Sequence, residues 1–126
     1  MSTPATEFLT PAETVERSGF SLDTLRYYER IGLLGTVHRS ATGHRRYTAH
    51  DLEWLYVLRC LRDTGMPIAG MRRFAELVRA GDGTFAERLA LLERHHGAAE
   101  EQITKLRAQQ DYLHTKIAFY RRALAD

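Results

Sequence analysis

Six arginines lie between positions 17 and 46 (Arg17, Arg26, Arg30, Arg39, Arg45 and Arg46), and only two acids, Asp23 and Glu29, share that stretch. His38, His44 and the rings of Tyr27, Tyr28 and Tyr47 are interleaved with them. Guanidinium groups beside hydroxyls and flat rings do not make a nucleophile or a proton relay. They make a surface for phosphates and base edges. The six histidines (38, 44, 50, 95, 96 and 114) form no metal-ligand spacing with carboxylates, and adjacent His95 and His96 cannot share one helix face. The single cysteine, Cys60, excludes an intrachain disulfide and any four-cysteine zinc or iron–sulfur site within one chain. Nothing here points to an enzyme, a resident metal or a cofactor.

The formal net charge of +2 over 126 residues hides this asymmetry. From Gly81 to Asp126 seven basic residues meet seven acidic ones, so a basic first half precedes a neutral second half. That division fits a DNA reader joined to an assembly element. Hydrophobic content of 44% supports a folded core. No run of about 18 apolar residues occurs, and the N-terminus has neither a basic nor an apolar leader segment. The expected setting is cytoplasmic and nucleoid-associated, with no membrane partner.

The cationic residues need a scaffold, and the local signals supply one. Thr10-Pro11-Ala12-Glu13 is a capping box with proline at the first helical position, opening a short helix that ends near Ser18-Gly19. Ser21 is a good N-cap for a second helix, and Asp23 suits its first turn. Leu22 and Leu25 face one way, while Thr24, Arg26, Tyr27 and Tyr28 occupy the other faces. Two short helices across a glycine-containing turn predict a helix-turn-helix whose second helix enters a DNA major groove. Taken alone, an Arg/Tyr helix is equally compatible with a solvated surface.

The segment Thr24-Leu25-Arg26-Tyr27-Tyr28-Glu29-Arg30-Ile31-Gly32-Leu33, followed by Gly43-His44-Arg45-Arg46-Tyr47, closely resembles the signature of the MerR family of transcription regulators. The resemblance implies a mainly α fold. A winged helix-turn-helix head over residues 8–80 would precede a long helix over 84–124 that forms an antiparallel coiled-coil dimer. It also implies that Arg26 and Tyr28 contact groove and phosphate, with Thr24 and Tyr27 beside them, and that Arg39, Arg45 and Tyr47 clamp phosphates. His44 stands where many relatives carry an aromatic or aliphatic residue, and Arg46 reads either as a contact or as an exposed charge. Family behaviour further implies a dimer that bends and untwists a promoter so that RNA polymerase can engage both of its elements.

The residues between and beyond these motifs have readings of their own. Thr36 to Tyr47 holds two β-compatible pieces around Ser40-Ala41-Thr42-Gly43, the pattern of a basic wing. Thr48-Ala49-His50-Asp51 is a second capping box, for a helix through Leu52, Leu55, Leu58 and Leu61 that ends at Thr64-Gly65. Met66-Pro67 opens another helix, with Ile68, Met71, Phe74, Ala75 and Val78 on its apolar stripe. Gly70 inside that helix has no evident purpose, and Trp54 reads as packing. Thr84-x-x-Glu87 is a further capping box, before a proline-free stretch to the end. There Leu89, Leu92, His96, Ala99, Ile103, Leu106, Gln110, Leu113, Ile117 and Tyr120 recur at alternating spacings of three and four. That is a coiled-coil seam about 60 Å long, which cannot bury its stripe alone and needs a second copy of the chain. A symmetric dimer expects a pseudo-palindromic operator on double-stranded promoter DNA.

What such a regulator would sense is narrowed by what is missing. No cysteine follows position 60, which excludes the cysteine pair of the metal-responsive branch. The sequence stops at the coil, where drug-binding members continue into an effector domain. A lone cysteine in the helix after the wing resembles the aldehyde- and electrophile-responsive branch, which implies that Cys60 is a regulatory thiol. Arg59 or Arg62 would favour its thiolate if their guanidinium groups point toward it. Against this stands the ordinary role of a helical cysteine as a small core residue. Two alternatives remain: a MerR-like repressor or small-molecule-responsive regulator without a thiol switch, and a coiled-coil interaction module whose basic head binds protein. Salt-dependent, sequence-specific DNA binding separates the last from the others.

Overall fold

The computed structural model describes residues 7–126; the tail expected at the N-terminus falls mostly on residues 1–6, outside them. In chain order the elements are β1 (Phe8–Leu9), α1 (Pro11–Ser18), α2 (Leu22–Arg30), β2 (His38–Arg39), β3 (Arg45–Thr48), α3 (Ala49–Asp63) and α4 (Ile68–Arg79). A 3-10 turn (Asp82–Thr84) then leads to α5 (Phe85–Ala125). The chain divides into two units between Thr84 and Phe85.

In the first unit the capping signals act where the sequence places them. The Thr10 hydroxyl accepts from Glu13 N at 3.1 Å, and the Glu13 carboxylate accepts from Thr10 N at 3.0 Å. Hydrogen bonding of the carboxylate to Thr10, to its backbone N–H foremost and then to its side chain, holds the Glu13 carboxyl below its usual range. Thr48 and Asp51 repeat the box at the start of α3, at 3.0 and 2.9 Å. The Thr84 hydroxyl donates back to the Leu77 and Gly81 carbonyls and secures the 3-10 turn.

The sheet has the order β1-β3-β2, with both pairings antiparallel. His38 and Arg39 face Arg46 and Arg45 across the wing hairpin. Phe20, Leu25, Leu33, Leu55, Leu58 and Met71 form the buried centre beneath α1 and α2. On α4 the buried residues are Met71, Phe74, Ala75 and Leu77; of the expected stripe, Ile68 is exposed and Val78 half-buried, and Leu77 was not among it. Gly70 gains a reason: a Cβ there would lie 3.0 Å from Cγ of Met66, whose buried side chain lies over it. Trp54 stacks on Phe74, with centroids 5.9 Å apart and planes 13° apart.

The second unit is the single 41-residue helix α5. The seam side chains Leu89, Leu92, Ile103, Leu106, Leu113, Ile117 and Tyr120 are exposed along it, as are His96 and Gln110. Ala99 is partly covered. A stripe of this kind follows from heptad spacing and has no complement within its own helix. Among the described residues no helix is long and apolar enough to cross a membrane.

Candidate nucleic-acid interface

The helix-turn-helix depends on a sharp reversal after α1. Gly19 adopts a left-handed conformation (φ 78°), and its N–H closes the helix on the Val15 carbonyl. Ser21 then caps α2, accepting from Thr24 N at 3.1 Å and donating to the Thr24 hydroxyl at 2.9 Å. The outer face of α2 carries Arg26, Tyr27 and Arg30, all exposed, with Thr24 partly covered beside them. The Arg30 guanidinium lies 5.7 Å from the Tyr27 ring centroid.

Between α2, the wing and β1 runs a cleft of about 670 Å³, lined by Leu22, Arg26, Ser40, His44, Arg45 and Arg46 among others. None of its lining residues is acidic. The wing is shaped by its own bonds: Ser40 N donates to His44 O at 2.8 Å, and the hydroxyl of Thr42 meets His44 Nδ1 at 3.0 Å. Arg39 Nη1 donates to the Gly43 carbonyl at 3.2 Å. The Arg46 guanidinium stacks 4.0 Å from the Phe8 ring centroid, so it is anchored against β1 rather than freely solvated.

Two expected contacts have a different place. Tyr28 is 3% exposed and Tyr47 is wholly buried, so neither presents a ring or hydroxyl to a groove or a phosphate. Tyr28 packs edge-on against Phe20 with centroids 5.3 Å apart. The Tyr47 hydroxyl is buried with no hydrogen-bond partner. Burial pushes both phenols above their usual range; nearby Arg62 opposes the shift at Tyr28, while at Tyr47 the Glu29 charge adds to it. Arg45 and Arg46 line the cleft while the Tyr47 ring goes to the core, a division that strand alternation alone does not dictate, since Arg45 and Tyr47 are two residues apart on β3.

Glu29 is the residue that sequence reasoning overlooked. Its carboxylate accepts from Arg45 Nε at 2.5 Å and from Arg39 Nη2 at 3.4 Å, tying both wing arginines to the end of α2. The Glu29 hydrogen bond raises the Arg45 pKa, so that guanidinium stays charged throughout the accessible range. The one available signal was its isolation, as one of two acids in a strongly basic stretch.

Three side chains from α3 and α4 hold the ends of the recognition segment by its backbone. Arg59 Nη1 donates to Ser18 O at 3.0 Å, Trp54 Nε1 to Leu33 O at 2.6 Å, and Arg79 Nη2 to Gly32 O. Trp54 therefore packs, as expected, and also donates. The Cys60 thiol is exposed on α3. The expected help from its neighbours is directed elsewhere: Arg59 is committed to Ser18 and Asp63, and Arg62 to Asp63 and the Phe20 ring. Among the described residues no group of three or more His, Cys, Asp or Glu could hold a metal ion.

Two family profiles match the chain: "MerR HTH family regulatory protein" over residues 9–77 and "MerR, DNA binding" over residues 52–116. An HTH-type transcriptional regulator of Haemophilus influenzae is 44% identical over 116 residues, covering 92% of this chain and 86% of that protein. The crystal structure of HiNmlR, a MerR family regulator lacking the sensor domain and bound to promoter DNA, superposes with a TM-score of 0.86. It is 43% identical, over 94% of each chain. The HTH-type regulator AdhR of Bacillus subtilis is 35% identical over 81 residues, which is 64% of this chain and 58% of that protein.

Proposed function

The chain belongs to the MerR family of DNA-binding transcription regulators, and on that premise we propose that it acts as a homodimer on a pseudo-palindromic promoter operator, controlling access of RNA polymerase by distorting the DNA and switching through Cys60. The observation that carries the DNA-reading part is the acid-free cleft between α2 and the wing, with Arg26, Arg45 and Arg46 along it. A promoter-bound structure that is 43% identical over nearly the whole chain supports the same reading. On this reading Arg26 and Tyr27, exposed on α2, reach base edges, and Arg39 and Arg45 hold flanking phosphates from the wing.

Antiparallel pairing of two α5 helices is the economical way to cover the exposed heptad stripe. Promoter distortion costs on the order of several kcal/mol, which many phosphate contacts can offset. The thiol part rests on the exposure of Cys60 and on its place between Arg59 and Arg62, the two side chains that grip the helix-turn-helix. An adduct there would press on that grip and shift the balance between two DNA complexes.

The test is transcription with purified polymerase from the promoter upstream of this gene, comparing wild type with Cys60→Ser, with and without formaldehyde or methylglyoxal. Induction present in wild type and lost in Cys60→Ser at unchanged operator affinity supports the switch. Equal responses sink it and turn attention to small molecules at the dimer interface. Failure of the wild type to bind any promoter duplex at low salt would sink the DNA-reading part as well.

A further inference from the structure

The turn between α1 and α2 is gripped from α3 by a cluster of charged side chains, Arg59, Arg62 and Asp63. Arg59 reaches the Ser18 carbonyl at 3.0 Å through space that exists because position 19 is glycine. A Cβ on Gly19 would lie 2.6 Å from the Arg59 Cζ and closer still to Nη1. Glycine is favoured there by its left-handed φ of 78°, and a Cβ would also push the flexible end of Arg59 out of its seat. One helical turn on, the Arg62 guanidinium lies over the Phe20 ring, 4.6 Å from its centroid, and Phe20 in turn packs against Tyr28 of the recognition helix. Asp63 joins the two cations, accepting from Arg59 at 3.4 Å and from Arg62 at 3.1 Å. At its other end the segment is held by Trp54 on the Leu33 carbonyl and Arg79 on the Gly32 carbonyl.

A recognition helix reads bases only if its orientation is set before it meets DNA, since freedom at the turn must be removed on binding. We infer that Arg59 is a positioning residue for DNA recognition: seated against Gly19 and bonded to the Ser18 carbonyl, it fixes the angle at which α2 is presented, without itself contacting DNA. A surface arginine in a DNA-binding head is ordinarily read as a phosphate contact. The two roles differ measurably, because each phosphate contact contributes about −0.9 to the slope of log K against log salt, whereas a positioning residue contributes nothing to it.

The inference rests on the DNA-reading assignment, and the probe is a duplex selected by the wild-type protein from a random pool. Affinity for that duplex and for a scrambled one is measured between about 50 and 200 mM salt. The proteins are wild type, Arg59→Met, Arg59→Lys, Gly19→Ala and the Arg59→Met/Gly19→Ala double variant. Loss of a charged hydrogen bond on a carbonyl predicts that Arg59→Met binds the selected duplex about tenfold more weakly. Binding to the scrambled duplex and the salt slope should stay as in wild type. Arg59→Lys should recover part of the loss. Gly19→Ala should cost less in the Arg59→Met background than in wild type, because the seat is then empty. A slope shallower by about 0.9 would make Arg59 a phosphate contact and overturn the inference. Parallel loss on both duplexes, or no loss on either, would overturn it as well. Should Arg59→Met not fold, the Arg59→Lys slope and specificity ratio decide alone. A wild-type protein that selects no duplex would sink the DNA-reading assignment itself, a result distinguishable from all of these.

Discussion

Replacing Glu29 by glutamine tests whether the wing is held ready for DNA by the recognition helix. The substitution keeps the shape and removes the charge that bonds Arg45 at 2.5 Å and Arg39 at 3.4 Å. Two effects oppose each other. Without the carboxylate two long cations lose their fixed orientation, and ordering each again on DNA costs about 0.5–1.5 kcal/mol, or about 2 kcal/mol for the pair. Removing a negative charge also relieves its repulsion by phosphates, worth roughly 0.5–1 kcal/mol at about 5–8 Å in water. On the operator the first effect wins by about 1 kcal/mol, a roughly fivefold loss of affinity. On random-sequence DNA, where the wing need not hold one geometry, only the second operates and binding tightens about threefold. The ratio of specific to non-specific affinity should therefore fall about fifteenfold. Fluorescence anisotropy with labelled operator and scrambled duplexes, titrated across salt, reads both quantities. Tighter binding to both duplexes with the ratio unchanged would refute the reasoning: Glu29 would then only subtract charge, and the wing would be rigid without it.

Other substitutions address separate parts of the structure. Tyr47→Phe removes a buried hydroxyl that has no partner, so stability should hold or rise by about 1 kcal/mol in chemical denaturation, with operator affinity unchanged. An affinity loss would restore Tyr47 as a phosphate clamp. The same phenol sets an alkaline limit: its pKa is raised on folding, so the stability it gives is complete below its ordinary value of 10.0 and fades as pH rises through the folded value. Tyr47→Phe should flatten that alkaline decline in a pH series of melting curves. Gly70→Ala sets a helix-propensity gain of about 1 kcal/mol against displacement of Met66, and the net change in melting temperature should be close to zero. Leu106→Asp places a carboxylate on the exposed heptad stripe and should convert a dimer to monomers in sedimentation, weakening operator binding sharply while leaving the head folded.

Much of the architecture was legible because it is written in short-range chemistry. Thr10 with Glu13 and Thr48 with Asp51 mark helix starts within three residues, and the observed bonds are the ones those spacings permit. The heptad stripe of α5 is equally local. Where a position depended on how a helix is turned or a side chain is folded the sequence was silent. Ile68 has the spacing of a core residue, yet Leu77 is the one that meets the interior. Gly70 looked purposeless until Met66 was seen lying over it.

The interface divides along the same line. Residue types announced a phosphate-binding surface, but a tyrosine in a basic motif does not say whether its ring faces DNA or the core, and Tyr28 and Tyr47 both turned inward. The groups that orient the contacts are further from view. Glu29 acts on a residue 16 positions away and Arg59 on one 41 positions away, and no periodicity or motif connects such pairs. Their effect also has the opposite sign from what composition suggests: Glu29 lowers the charge of the reading face, and Arg59 spends its charge on a carbonyl and a carboxylate. Counting cations therefore overstates the electrostatic footprint of this head. Arg26, Arg45 and Arg46 line the acid-free cleft, and on the proposed reading the measured salt slope should reflect these with Arg39 of the wing rather than the full basic complement.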